Sequence, residues 1–161
     1  MIVGKDNKGA LVLAEVDPHL ERLLVELPAV SVRTTHAKAE RRLFPVPSHD
    51  EKLAAEWEDF VRPELETWFH DACDIVQSDL QRRRQPWEGE EGVTIRIPQK
   101  HIDAWLNCLA RARLILNEEE GFTEAELESI PQSFESKRDV ALFRLAFYGL
   151  ISEILVREAA C

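Results

Sequence analysis

The chain has 161 residues, 45% of them hydrophobic and 31% charged, a balance that fits one domain across 1–161 and excludes a disordered or fibrous chain. Its 30 acidic and 20 basic residues leave a net charge of -10, which argues against wrapping nucleic acid or lying on anionic lipid. Cys73, Cys108 and Cys161 are odd in number and widely spaced, with no C-x-x-C pair and no secretory leader, so a cytoplasmic location is expected. No apolar run reaches the ~18–20 residues of a membrane span, and no membrane association is expected.

Taken in chain order, Gly9-Ala-Leu-Val-Leu-Ala-Glu-Val16 reads as a strand, and Asp17-Pro18 reads as an N-cap followed by proline at the first helical position. Leu20, Leu23, Leu24 and Leu27 form the stripe of the first helix, which is expected to end or kink at Pro28. Residues 33–49 read as a connector whose Leu43-Phe44-Pro45-Val46-Pro47 packs on the core. From Ser48 onward, Leu53, Trp57, Phe60 and Val61, then Leu65, Trp68, Phe69, Ala72, Ile75, Val76 and Leu80, repeat at helical spacing. Pro63 divides them into two helices or kinks a single one.

Gln85 to Gly92 is rich in turn residues, and Val93-Thr-Ile-Arg-Ile97 alternates as a half-covered strand does. It is expected to pair with residues 10–16. A helix over about 99–117 follows, then an acidic turn and a short helix with Thr123 and Glu126 at capping-box spacing, ended by Pro131. The last helix, about 137–157, is apolar nearly all round. Such a helix is central to the domain or forms half of a dimer interface. The fold class expected is therefore mostly α (α+β): a helical bundle with a small two-stranded β ribbon.

Chemistry is sparse. Glu66, His70, Cys73 and Asp74 have helical spacing, but His70 and Asp74 fall opposite the Trp68 and Ile75 face, and no second cluster completes a metal site. No nucleophile elbow, phosphate loop, dinucleotide fingerprint or zincin motif is present. No catalytic residue, cofactor or metal is assigned. Arg82-Arg83-Arg84 closes a helix, where cations suit the negative pole of the dipole, and no nucleic-acid partner is expected from it.

One residue stands out. About 100° per residue places Arg113 among Ile102, Trp105, Leu106, Leu109 and Leu116, whereas Arg111 points away. A buried guanidinium needs a carboxylate. Glu153, among Leu142, Ala146, Gly149 and Leu150, is the expected partner, so Arg113 and Glu153 form the candidate buried ion pair. Leu142, Leu145 and Val156 form the candidate interface for a second copy.

Leu43-Phe44-Pro45, Glu56-Trp57 with Asp59-Phe60, the block Trp105-Leu106, Leu109, Arg113-Leu114, Leu116 and Gly121, and Glu153 with Leu155-Val156 together resemble an uncharacterised bacterial family. It is the domain-of-unknown-function family numbered two thousand and seventeen. Where this chain has Ala110-Arg111 and Asn117, the family's block carries Asn-Asp and Gly. In some lineages members are encoded beside the adaptor of the Clp protease. The resemblance thus implies a non-enzymatic cytoplasmic regulatory or adaptor-like protein acting through protein-protein interaction, linked to Clp proteolysis. The alternative is a small-ligand binder or enzyme with a polar pocket at Arg113.

Overall fold

The computed structural model describes residues 1–32, 34–129 and 135–159. Strands β1 (Ile2–Lys5), β2 (Leu11–Val16) and β3 (Val93–Ile97) form one antiparallel sheet in the order β1-β2-β3. The expected pairing of β2 with β3 is present, with Leu13 opposite Ile95 and Val16 opposite Val93. The ribbon is corrected to three strands, because the first residues pair with β2, Ile2 opposite Ala14. These residues carry little burial of their own, so backbone bonds hold β1, and no apolar alternation announced it.

Between Leu13 and Val16 the register of β2 shifts. Glu15 there takes a φ of 52°, and the bulge brings the Val16 carbonyl over Gly92. A Cβ at Gly92 would stand 2.4 Å from that oxygen, at a φ of +73°. Only glycine fits this position without moving the backbone.

Seven α-helices are described: α1 (Pro18–Val32), α2 (Ala37–Leu43), α3 (Glu51–Glu56), α4 (Arg62–Gln81), α5 (Ile102–Glu120), α6 (Glu124–Leu127) and α7 (Lys137–Ala159). Asp17 caps α1, accepting from the His19 and Leu20 amides at 2.9 and 3.1 Å. That helix runs through Pro28 and does not stop there. Leu24, Leu27, Pro28 and Ser31 are buried, so packing outweighs the missing amide. The connector 33–49 holds α2, whose one buried residue is Ala39. No stripe marked it, because ion pairs fix it: Lys38 and Arg42 both reach Glu118 of α5.

Pro63 does not separate two helices. Residues 51–81 are helical throughout, with a π-helical turn at Trp57–Val61 and the Arg62 amide bonded to the Trp57 carbonyl. A widened turn relieves the clash between a proline ring and the carbonyl one turn before it. Thr123 and Glu126 form the capping box as read from their spacing, and Pro131 lies outside the described residues.

The core gathers β2 and β3, α1, α4, α5 and α7 around Trp105, Tyr148, Leu13, Ile95 and Leu155, all essentially inaccessible. Helix α5 packs against α1, α2, α4 and α7, and that wide burial decides which of its residues point inward. Helix α7 packs mainly against α5 and buries Phe147, Tyr148, Ile151 and Leu155. Leu142 and Leu145 are buried within the chain, whereas Val156 is 56% exposed, so the candidate interface of Leu142, Leu145 and Val156 is not a continuous surface. No described helix is long and apolar enough to cross a membrane.

Candidate functional site

The expected ion pair of Arg113 and Glu153 is overturned. Both residues are exposed, and the ion pairs among the described residues do not join them. Arg113 instead lies along α7 over Gly149, where an added Cβ would come within 3.4 Å of its Cζ. The missing side chain gives the guanidinium a place to lie. The expected stripe was too narrow: α5 also buries Cys108, Arg111, Ala112 and Ile115, a second row one helical turn apart that faces α4. Arg111 therefore points inward. The signal in the sequence was Cys108, Arg111 and Ile115 at spacings of one turn, which a single-faced reading passes over.

Arg111 is 7% exposed. Its Cζ stacks 3.7 Å from the centre of the Phe69 ring, a cation–π contact that recovers part of the lost hydration. Its Nε and Nη1 are shut off from solvent and have no acceptor. Burial accordingly holds the guanidinium below the usual arginine range, opposed by the nearby Cys73 and Cys108.

The two cysteines lie beside it, with their Sγ atoms 3.4 Å apart. Ser31 Oγ is 3.1 Å from Cys73 Sγ and donates to the Pro28 carbonyl at 2.9 Å. One proton of the pair is held loosely and one tightly. Cys73 is drawn below the usual thiol range, first by the hydrogen bond with Cys108, then by Ser31 and the Arg111 charge. Cys108 is pushed up, first by Cys73 and then by burial. Cys161 lies outside the described residues.

Two clefts open beside this cluster. One, of about 570 Å³, runs between α1 and α4 past Val32, His70, Cys73 and Asp74. The other, of about 380 Å³, lies among α2, α4 and α5 and exposes Arg111, Phe69, Phe44 and Arg62. Val32 and His70 line both. Arg113 lines neither. His70 and Asp74 are exposed as expected, but so is Trp68; the inward face of α4 is Phe69, Ala72, Cys73, Val76, Asp79 and Leu80. Among the described residues no cluster of three or more His, Cys, Asp or Glu is placed to hold a metal ion.

At the far end of the same helix pair, Asp79 is 3% exposed and fully engaged. His101 Nδ1 lies 2.9 Å from Asp79 Oδ2, and Trp105 Nε1 donates to the same oxygen at 3.0 Å. His101 stands at the start of α5 without capping it by its side chain, and its ring pins α5 to α4. Of the basic cluster, Arg83 pairs with Glu21 and Arg84 with Glu90, so neither is a free phosphate-binding cation.

A different feature is the arm formed by α3 and the π turn. Neither segment buries a residue, and the main contacts of α3 and the π turn run along their own continuous helix while the core helices gather elsewhere. Leu53, Phe60, Val61 and Trp68 are all exposed, Phe60 by 70%. Leu53 and Phe60, like Val61 and Trp68, are about two helical turns apart. Arg62 ties the arm to α2 through Glu40 at 2.5 Å, with Glu66 at 3.0 Å and Glu58 at 3.3 Å, and lies over Phe44.

The sequence of the chain matches one family model, that of a domain of unknown function, DUF2017, over residues 7–159. The chain belongs to the DUF2017 family. No curated protein and no solved structure matches it. Membership of the DUF2017 family assigns no activity, so the function of this DUF2017 domain has to be read from its own surface and buried charges.

Proposed function

We propose that this chain is a non-enzymatic, cytoplasmic regulatory or adaptor-like protein that acts by binding another protein through the arm of α3, the π turn and the first turns of α4. The observation that carries this reading is the apolar row of Leu53, Phe60, Val61 and Trp68, exposed on a helical segment whose first part buries nothing. Helices of globular domains hold their apolar side against a core. Here the apolar side is left to solvent, and large aromatic residues in that setting mark interaction surfaces.

Charge selects the occupant. Glu51, Glu56, Glu58, Asp59 and Glu64 flank the row and are exposed, on a chain of net charge -10. A second copy would oppose like charges, and the partner is therefore a basic, amphipathic segment. Isothermal titration with a synthetic helical peptide of leucine and lysine provides the test. Binding that weakens with salt, and weakens at least tenfold in a Phe60→Ser/Trp68→Ser double variant of unchanged helix content, is the expected result. Absence of binding, or equal binding by the double variant, contradicts the proposal.

A further inference from the structure

Arg111 poses a problem that the fold does not solve internally. A guanidinium taken out of water needs an anion or a full set of acceptors. It is 7% exposed, forms no ion pair among those of the described residues, and has two donors, Nε and Nη1, without acceptors. Phe69 covers one face. The remaining nitrogen, Nη2, is the donor left facing the cleft of about 380 Å³ that Arg111 lines. In a planar guanidinium both two-pronged modes use Nη2, together with Nη1 at the end or Nε at the side. Because Nε and Nη1 are shut off from solvent, a carboxylate in the cleft is held through Nη2 and pairs with the guanidinium charge there.

We propose that this cleft is a binding site for a small monocarboxylic acid with an apolar, preferably aromatic, body, whose carboxylate is held by Arg111. The way the charges around the cleft are paired favours a single negative charge. Its other cation, Arg62, is already engaged by Glu40, Glu58 and Glu66. Glu40 and Glu66 also line the cleft. The two arginines and two glutamates of the lining already sum to zero, but Arg111 is the cation that no carboxylate touches, so a single carboxylate gives it a partner with the least added repulsion from Glu40 and Glu66. A phosphate dianion would meet the two glutamates with a charge left over.

The apolar body follows from the walls. Phe44 and Phe69 meet at 5.6 Å between ring centres, and Val32 and Leu43 extend that wall. The volume lies within the range of small-molecule sites, roughly 300–1,000 Å³. Cys73 and Cys108 do not supply the missing anion by direct contact: neither sulfur is hydrogen-bonded to the guanidinium, and each is engaged with the other.

The probe is phenylacetate, compared by isothermal titration with the uncharged phenylacetamide and with inorganic phosphate. Phenylacetate is expected to bind at least tenfold more tightly than either. Arg111→Met should abolish the difference between acid and amide, while Arg113→Met and the Phe60→Ser/Trp68→Ser arm variant keep it. Should Arg111→Met not fold, the comparison of acid with amide on the unmodified protein decides alone. No binding of phenylacetate, equal binding of the amide, tighter binding of phosphate, or unchanged acid binding by a folded Arg111→Met protein would overturn the assignment.

Discussion

The α4–α5 interface buries two charged side chains of opposite sign, and they are treated in opposite ways. Asp79, near the end of α4, gives its carboxylate to the His101 ring and the Trp105 indole. Arg111, near the middle of α5, has a ring face and no hydrogen-bonded anion. Both are more than nine-tenths buried. A charge surrounded by its acceptors or donors fixes packing, because any other arrangement of the two helices would strand it. A charge without its counterpart contributes nothing comparable to the fold, and its presence at a cleft wall points outward to a ligand. Glu118 belongs with Asp79: 7% exposed, it is met by Lys38 and Arg42 and holds α2 to α5.

The largest effect expected is at Asp79. Asp79→Ala leaves the Trp105 N–H buried without an acceptor and should cost about 3–5 kcal/mol in urea unfolding. A loss below about 1 kcal/mol would remove Asp79 from the structural side of the comparison.

Tyr148 sharpens the same rule with a neutral group. Its hydroxyl donates to the Leu23 carbonyl at 2.7 Å from a fully buried position. Tyr148→Phe should cost about 1 kcal/mol. Burial pushes this phenol above its usual range. Its contribution is therefore complete below the ordinary tyrosine value of about 10 and is lost as pH rises above that value, where the unfolded chain ionises first. The alkaline loss of stability should be shallower in Tyr148→Phe than in the unmodified protein. Equal slopes would show that Tyr148 ionises no differently on folding.

Much of the fold is legible in the sequence because it follows from local periodicity. The β2 and β3 runs, the Asp17 cap, the Thr123 capping box and the long helices all carry their pattern within a few residues. The features that sequence reading missed depend on partners far along the chain. Strand β1 borrows its order from β2, and α2 is held by Glu118, 76 residues beyond Arg42. The candidate site failed for a related reason. One apolar stripe on α5 singled out Arg113, but a helix contacted by α1, α2, α4 and α7 buries more than one stripe, and the extra arc carries Arg111. The pairing with Glu153 then fell with the premise, since an exposed arginine needs no buried partner. The arm is the converse case. Its apolar spacing is helical, yet periodicity alone does not reveal whether a neighbouring element covers the stripe.

A ligand-binding role for Arg111 requires that the residue is held for something other than stability, and the unfolding free energy of Arg111→Met is the measurement that decides it. Methionine keeps the flexible unbranched stem of the side chain and removes the unmatched charge. The Arg111→Met protein is expected to be as stable as the original or more stable, by about 1–4 kcal/mol. A loss of about 3 kcal/mol or more, the size expected when a paired buried charge is broken, would contradict that role and place Arg111 beside Asp79 as a structural residue.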